Sequence, residues 1–217
     1  KQGFQNIQAL SLPKPDKTKI DKWNFAAQAE DGNTHIEIPA EMKELWEDDE
    51  QNVLVLYKDQ IVYQKTTEAF DQSGVIFTNL FDGLKNHNEL IQNYFMKKAI
   101  KSDAHKLTAL HTALLNTGAF IYVPKNVVVD EPVHVVFLQK GAESFHNHVL
   151  LVADTCSQIS YVETTFSVDT VEAPATATIC AEIIVNDGAK VTYGAIDSLG
   201  KNITAYINRQ AHVDRDG

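Results

Sequence analysis

From Gly118 to Tyr193 the chain alternates short apolar segments with polar breaks at near-regular intervals. Phe120–Val123 stops at Pro124-Lys125-Asn126, Val127–Val129 at Asp130-Glu131-Pro132, and Val133–Leu138 near Gly141. Val149–Val152 then stops at Asp154, and Ile159–Val162 follows. β-Branched and aromatic residues fill the segments, turn formers fill the breaks, and no helical period intervenes. This pattern predicts an all-β block. The block also repeats. Laying Val149–Tyr161 over Ala181–Tyr193 brings Leu151 onto Ile183, Val152 onto Ile184, Ile159 onto Val191 and Tyr161 onto Tyr193. Asp154-Thr155-Cys156 falls on Asn186-Asp187-Gly188, and a weaker third copy puts Asp216-Gly217 in the place of Asp187-Gly188. Recurrence at this spacing favours a solenoid, here a right-handed parallel β-helix, in which each coil buries its apolar face on the next. Two hairpins of a sandwich or jelly roll are the open alternative.

The first 105 residues read as a mixed α/β unit. A helix is expected after Pro15-Asp16, with Ile20, Trp23 and Ala27 on one face, then a strand over Thr34–Ile38 and a helix over Glu41–Trp46. Lys58-Asp59-Gln60 joins Val53–Tyr57 to Ile61–Gln64 as a hairpin, and Val75–Leu80 is a further strand. Asn86 or Asn88 caps a helix running to about Ile100, and a second helix over Leu107–Leu114 ends at Gly118. The expected division is residues 1–105, mixed α/β, and 106–217, a partial parallel β-helix.

Length, charge and cysteines narrow the classes. At 217 residues the chain can bury a substantial core. No apolar run approaches the roughly 20 residues of a membrane helix, and no signal-peptide pattern opens the sequence. With Cys156 and Cys180 as the only cysteines, this points to a reducing, cytoplasmic setting. Net charge is −10, spread over both halves without a basic stripe, which disfavours nucleic acid. Glu47–Glu50 lacks ligand spacing and reads as a solvated loop.

Candidate chemistry is sparse. His146 and His148, two apart on a strand, share a face suited to a metal, but no third ligand is identifiable, so they read as exposed polar positions. Cys156 sits at a turn and Cys180 in an apolar run; both read as inert thiols. Glu163 reads as a solvated strand end, since a glycosidase needs a carboxylate partner. Arg209 and Arg215 are the only arginines of the block. No phosphate loop, nucleophile elbow or His-Glu-x-x-His is present, so no residue is assigned as catalytic, cofactor-binding or metal-binding.

Several segments together resemble the SufB/SufD family. They are Ala109–Leu114, Gly118–Asn126, Pro132–Phe137, Val149–Glu163, Ala181–Tyr193, Tyr206–Arg209 and Asp214–Gly217, with Leu12-Pro13 and Lys22–Phe25 near the start. The resemblance implies a non-catalytic scaffold of iron–sulfur cluster assembly. It implies a SufB-like partner, a SufC-like ATPase bound through a carboxy-terminal region beyond residue 217, and a cluster held transiently by the whole complex and not by this piece. The SufD-like branch fits better, because Thr164-Thr165 stand where SufB-like chains carry Gly-Cys. The family's older label as transporter-associated carries no spanning segment here. The chain is expected to be a fragment whose open β-helix end can self-associate. Two other functions stay open: a carbohydrate-active β-helix enzyme, and a purely structural solenoid.

Overall fold

A computed structural model describes residues 36, 38–43, 51–169 and 173–217. The helix expected after Pro15 and the acidic run Glu47–Glu50 lie outside these residues, as do parts of the strand over Thr34–Ile38 and of the helix over Glu41–Trp46. Within them, Ala40–Lys43 is a single helical turn, α1.

The hairpin forms as expected: β1 (Asn52–Tyr57) and β2 (Gln60–Lys65) pair antiparallel, with Lys58 taking a left-handed conformation, φ 55°. Helix α2 (Glu68–Gln72) is capped by the Thr67 hydroxyl, and α3 (Leu80–Asn86) by the Asn79 side chain. Between them lies β3 (Ile76–Asn79). Helices α4 (Asn88–Tyr94) and α5 (Lys106–Leu114) complete the helical part. Strands β4 (Thr117–Val123), β5 (Val133–Gln139), β6 (Phe145–Ala153), β7 (Gln158–Ser167), β8 (Ala175–Val185), β9 (Lys190–Ser198) and β10 (Ile203–Val213) follow.

These last strands alternate between two sheets. Sheet A runs β2-β1-β5-β7-β9 and sheet B runs β10-β8-β6-β4-β3. All pairings among β4 to β10 are parallel, as is β1 with β5; β1–β2 and β3–β4 are antiparallel. The chain is therefore a parallel solenoid, with β4–β5, β6–β7 and β8–β9 as coils and β10 opening another. The sandwich alternative is excluded. The period of the repeat is the ladder itself: Leu151 pairs with Ile183 and Tyr161 with Tyr193, as aligned.

The third copy is shifted by one, because the coil leading to β10 is shorter than the one before it. Val185 pairs with Val213, so Asp216, not Gly217, occupies the place of Gly188. The turn explains the preference at this position. Asn126, Cys156, Gly188 and Asp216 stack coil over coil, all with φ between 58° and 66°. Main-chain bonds link the stack: Asn126 N donates to Thr155 O, Cys156 N to Asp187 O, and Gly188 N to Arg215 O. Asn, Asp and Gly are the residues that enter the left-handed region at least cost, and Cys156 is the exception.

Three helix ends differ from expectation; neither Asn86 nor Asn88 caps α4, whose N-cap is His87 with no side-chain cap bond. The helix expected to reach Ile100 stops at Tyr94, because the Glu182 carboxylate takes the backbone N–H of Met96 at 2.6 Å and of Ile100 at 3.0 Å. Met96, at φ 54°, breaks the spiral. Gly118 does not end α5, whose C-cap is Leu115. It lies within β4, paired with His148, and a Cβ there would collide with the His148 carbonyl oxygen and press on Leu80.

The main core fills the space between the sheets, with Leu54, Ile121, Val135, Phe137, Val149, Leu151, Tyr161 and Ile183 among its members. Sheet B is buried on its outer face too: every residue of β6 and β8 is buried. Leu80, Ile91, Phe120, Leu150 and Ile184 form the layer under α3 and α4. No helix among the described residues is long and apolar enough to cross a membrane.

Gly118→Ala is expected to destabilise the chain by about 2–3 kcal/mol, because backbone and not a flexible side chain blocks the methyl. The shift in urea midpoint at unchanged slope measures it; an unshifted midpoint would show that β4 and β6 can separate freely.

Candidate functional site

Two buried polar clusters lie on opposite faces of the solenoid wall. The first is inside the lumen. Along β7, Ile159, Tyr161, Glu163 and Thr165 share the inward face, as alternation on a strand requires. Glu163 is therefore fully buried in mid-strand and not at a solvated strand end. Arg209 of β10 reaches it: Nε donates to Glu163 Oε1 at 2.7 Å, while Nη1 and Nη2 donate to the two Asp197 oxygens at 2.9 and 2.7 Å. The Tyr161 hydroxyl donates to the other Glu163 oxygen at 3.5 Å, and the Tyr161 and Tyr193 rings stack at 5.9 Å. Burial raises the Glu163 pKa, and the guanidinium pulls against that rise. One arginine thus closes on two carboxylates. Each of its three nitrogens donates, and the cluster clasps the second and third coils to the start of the fourth.

The second cluster lies on the outer face of sheet B, beneath α5 and the 95–105 segment. His146 and His148 do share a face, but that face is covered: they are 2% and 0% exposed, which corrects the expectation of exposed positions. The contacts form a chain. His146 Nδ1 lies 2.8 Å from Thr178 Oγ1, and His111 Nδ1 lies 2.8 Å from the same oxygen. His111 Nε2 lies 3.0 Å from His148 Nδ1, and His148 Nε2 lies 3.2 Å from Glu182 Oε1. Each link has a donor and an acceptor when His148 donates to Glu182, His111 to His148, Thr178 to His111, and His146 to Thr178. Burial, reinforced by the neighbouring imidazoles, lowers the His111 pKa to about 3. Burial lowers that of His146 to about 4.

Cys180, the ladder partner of His148, is fully buried, and burial pushes its thiol up to about 12, far from a thiolate. Cys156 is free and exposed at its turn. Among the described residues no group of three or more His, Cys, Asp or Glu side chains is placed to hold a metal ion. Arg215 is exposed, 3.9 Å from Asp187. The outer face of sheet A carries a groove of about 390 Å³ lined by Pro132, His134, Val162, Phe166 and Ile196. His134 meets Thr164 there at 2.9 Å, and burial holds its pKa near 4.

His111, Thr178, Glu182 and Arg209 carry these clusters, and no motif assigns any of the four a role. The repeat held part of the signal: the offset that lays Leu151 on Ile183 also sets His146 on Thr178 and His148 on Cys180.

Two outcomes follow. Arg209→Met is expected to cost about 3–5 kcal/mol, since it strands a buried carboxylate. Adding Glu163→Gln should recover much of that loss in a double-mutant cycle, and strict additivity would count against the clasp. Acid should also destabilise the fold. Unfolded histidines protonate near pH 6.5, whereas folded His111, His134 and His146 resist to about 3, 4 and 4. Their contribution is complete above pH 6.5 and is lost as pH falls from there toward 4. Urea unfolding at about pH 5.5 should give a stability roughly 4 kcal/mol below that at about pH 7.5, from three groups at about 1.4 kcal/mol per pH unit each. A flat profile would mean that these imidazoles meet water.

Comparison with known proteins agrees with this architecture. Residues 23–135 match the SufBD protein N-terminal region, and residues 136–217 match the SufBD core domain of SUF-system FeS cluster assembly. The iron-sulfur cluster assembly protein SufD of Bacillus subtilis is 40% identical over 96% of this chain and 50% of its own length. A SufBD family iron-sulfur cluster assembly protein of Staphylococcus haemolyticus is 30% identical over 74% of this chain and 34% of its own. Its counterpart in Staphylococcus aureus is 29% identical over the same shares. The chain thus spans half or less of the length of these relatives. With both family regions matched end to end on a parallel solenoid, the chain belongs to the SufBD family of iron–sulfur cluster assembly proteins.

Proposed function

We propose that this chain is part of a SufD-type, non-catalytic scaffold subunit of a cytoplasmic iron–sulfur cluster assembly complex. In this reading it pairs with a SufB-like subunit and joins a SufC-type ABC ATPase through sequence that the longer relatives carry, and the cluster is cargo of the whole complex. The observation that carries the reading is the filled lumen. Inward side chains of successive coils pack on one another, and the one inward acid of β7 is held by Arg209. Such a body offers faces and edges, not a pocket for turnover.

The edges fit the same reading. β9 and β10 are the last strands of their sheets, and Ile196, Ile207 and Val213 are exposed on them. A further coil or a partner's strand would complete the ladder there. A carbohydrate-active site has less support, because Glu163 faces the lumen and not an outer groove.

The test is co-expression of the full natural chain, tagged, with SufB-like and SufC-like subunits of the same organism. A stable complex is expected, together with anaerobic cluster formation on the complex that falls when this subunit is left out. Purification of the tagged chain with neither partner would overturn the proposal.

A further inference from the structure

Three neighbouring side chains inside the lumen have polar atoms that no described residue satisfies. Thr117 on β4, Asn147 on β6 and Thr165 on β7 are 1%, 0% and 0% exposed. Neither hydroxyl, and neither end of the Asn147 carboxamide, has a hydrogen-bond partner among the described residues. Buried polar groups in folded proteins are almost always paired, and an orphaned carboxamide flanked by two orphaned hydroxyls needs a cause.

Register brings the three together. Thr117 and Asn147 are direct partners in the β4–β6 ladder, so their inward side chains stand about 4.8 Å apart. Thr165 faces them from the opposite sheet, and the turn between β6 and β7 sets that alignment. Ala153 and Ile159, three residues either side of Cys156, both point into the core. Strands β6 and β7 run in opposite directions around the turn at Cys156. Counting outward from Cys156, Leu151 opposes Tyr161, Val149 opposes Glu163, and Asn147, with Thr117 and Ile179 in its column, opposes Thr165. The sheets are about 10 Å apart, and Asn and Thr are short, so their polar ends stop before the midline. Packing does not demand these residues, because valine would fill the space of either threonine among Phe137, Phe145, Val149 and Ile179.

We propose that this layer is a built water site, in which buried water bridges Asn147 to Thr117 and Thr165. Water both donates and accepts. It can donate to the carboxamide oxygen and to a threonine oxygen while accepting from the amide, and this layer supplies the two to four partners that a buried water needs. Thr165 also stacks on Asp197, so the wet layer adjoins the Glu163–Arg209–Asp197 clasp and completes a polar belt across an otherwise apolar core.

A high-resolution crystal structure of the full natural chain tests this directly. Density for water within hydrogen-bond distance of the Asn147 carboxamide and of at least one threonine hydroxyl is expected. A carboxamide bonded straight to a threonine, or a dry layer, would overturn the proposal. In solution, the Asn147 side-chain protons should show a cross-peak to long-lived water. Thr165→Val, nearly isosteric, should keep the circular dichroism spectrum and weaken that cross-peak several-fold. A missing cross-peak in the parent, or one unchanged in the variant, would count against the site.

Discussion

The parallel ladder between successive coils is the constraint from which the other features follow. Each strand takes its hydrogen bonds from the coil before and offers them to the coil after, so residues in register stack in columns about 4.8 Å apart. A column must be compatible with itself. Leu151 on Ile183 and Tyr161 on Tyr193 satisfy that rule with apolar bulk, and the left-handed turn column satisfies it with backbone conformation. A charge admitted to one column must be answered within a coil or so. Glu163, in the second coil, is answered by Arg209 at the start of the fourth, 46 residues later in sequence, together with Asp197 of the third.

The same ladder explains which parts of the fold could be read beforehand. A constant repeat period is a direct record of strand register, so the β6–β8 and β7–β9 pairings were readable residue by residue. The third copy was misaligned by one because the next coil is shorter, and sequence similarity alone does not report a change in turn length. The hairpin before the solenoid was local and came through intact. The helix after Asn88 was read too long for the opposite reason. Its fate was decided by Glu182, more than 80 residues away, whose carboxylate pulls two backbone N–H groups out of the helical spiral. Glycine at 118 likewise looked like a helix stop, and its cause is a strand packed against it.

The polar residues were misjudged for one physical reason. Histidine and glutamate on strands were assigned to solvent, which holds for a sheet with one wet face. Glu163 lies on the lumen face of sheet A, and sheet B has no wet face along β6 and β8, since the lumen covers one side and helices cover the other. His146, His148 and Glu182 are buried because α5 and the 95–105 segment lie over them, and that segment lies there because Glu182 holds it. Covering and covered elements determine each other, and neither announces itself locally.

That mutual dependence divides labour between the two sheets. Sheet B is fixed from both sides, by apolar columns within and by the Glu182–His148–His111–Thr178–His146 chain without. Sheet A is fixed on its inner face throughout. On its outer face it is covered near β1 and β5 but opens toward β9, where Ile196 is exposed beside the His134–Phe166 groove. Sheet B thus holds its register from both faces, while sheet A leaves part of its outer face open. The imidazole cluster secures sheet B, whereas the Arg209 clasp ties β10 of that sheet to β7 and β9 of sheet A across the lumen.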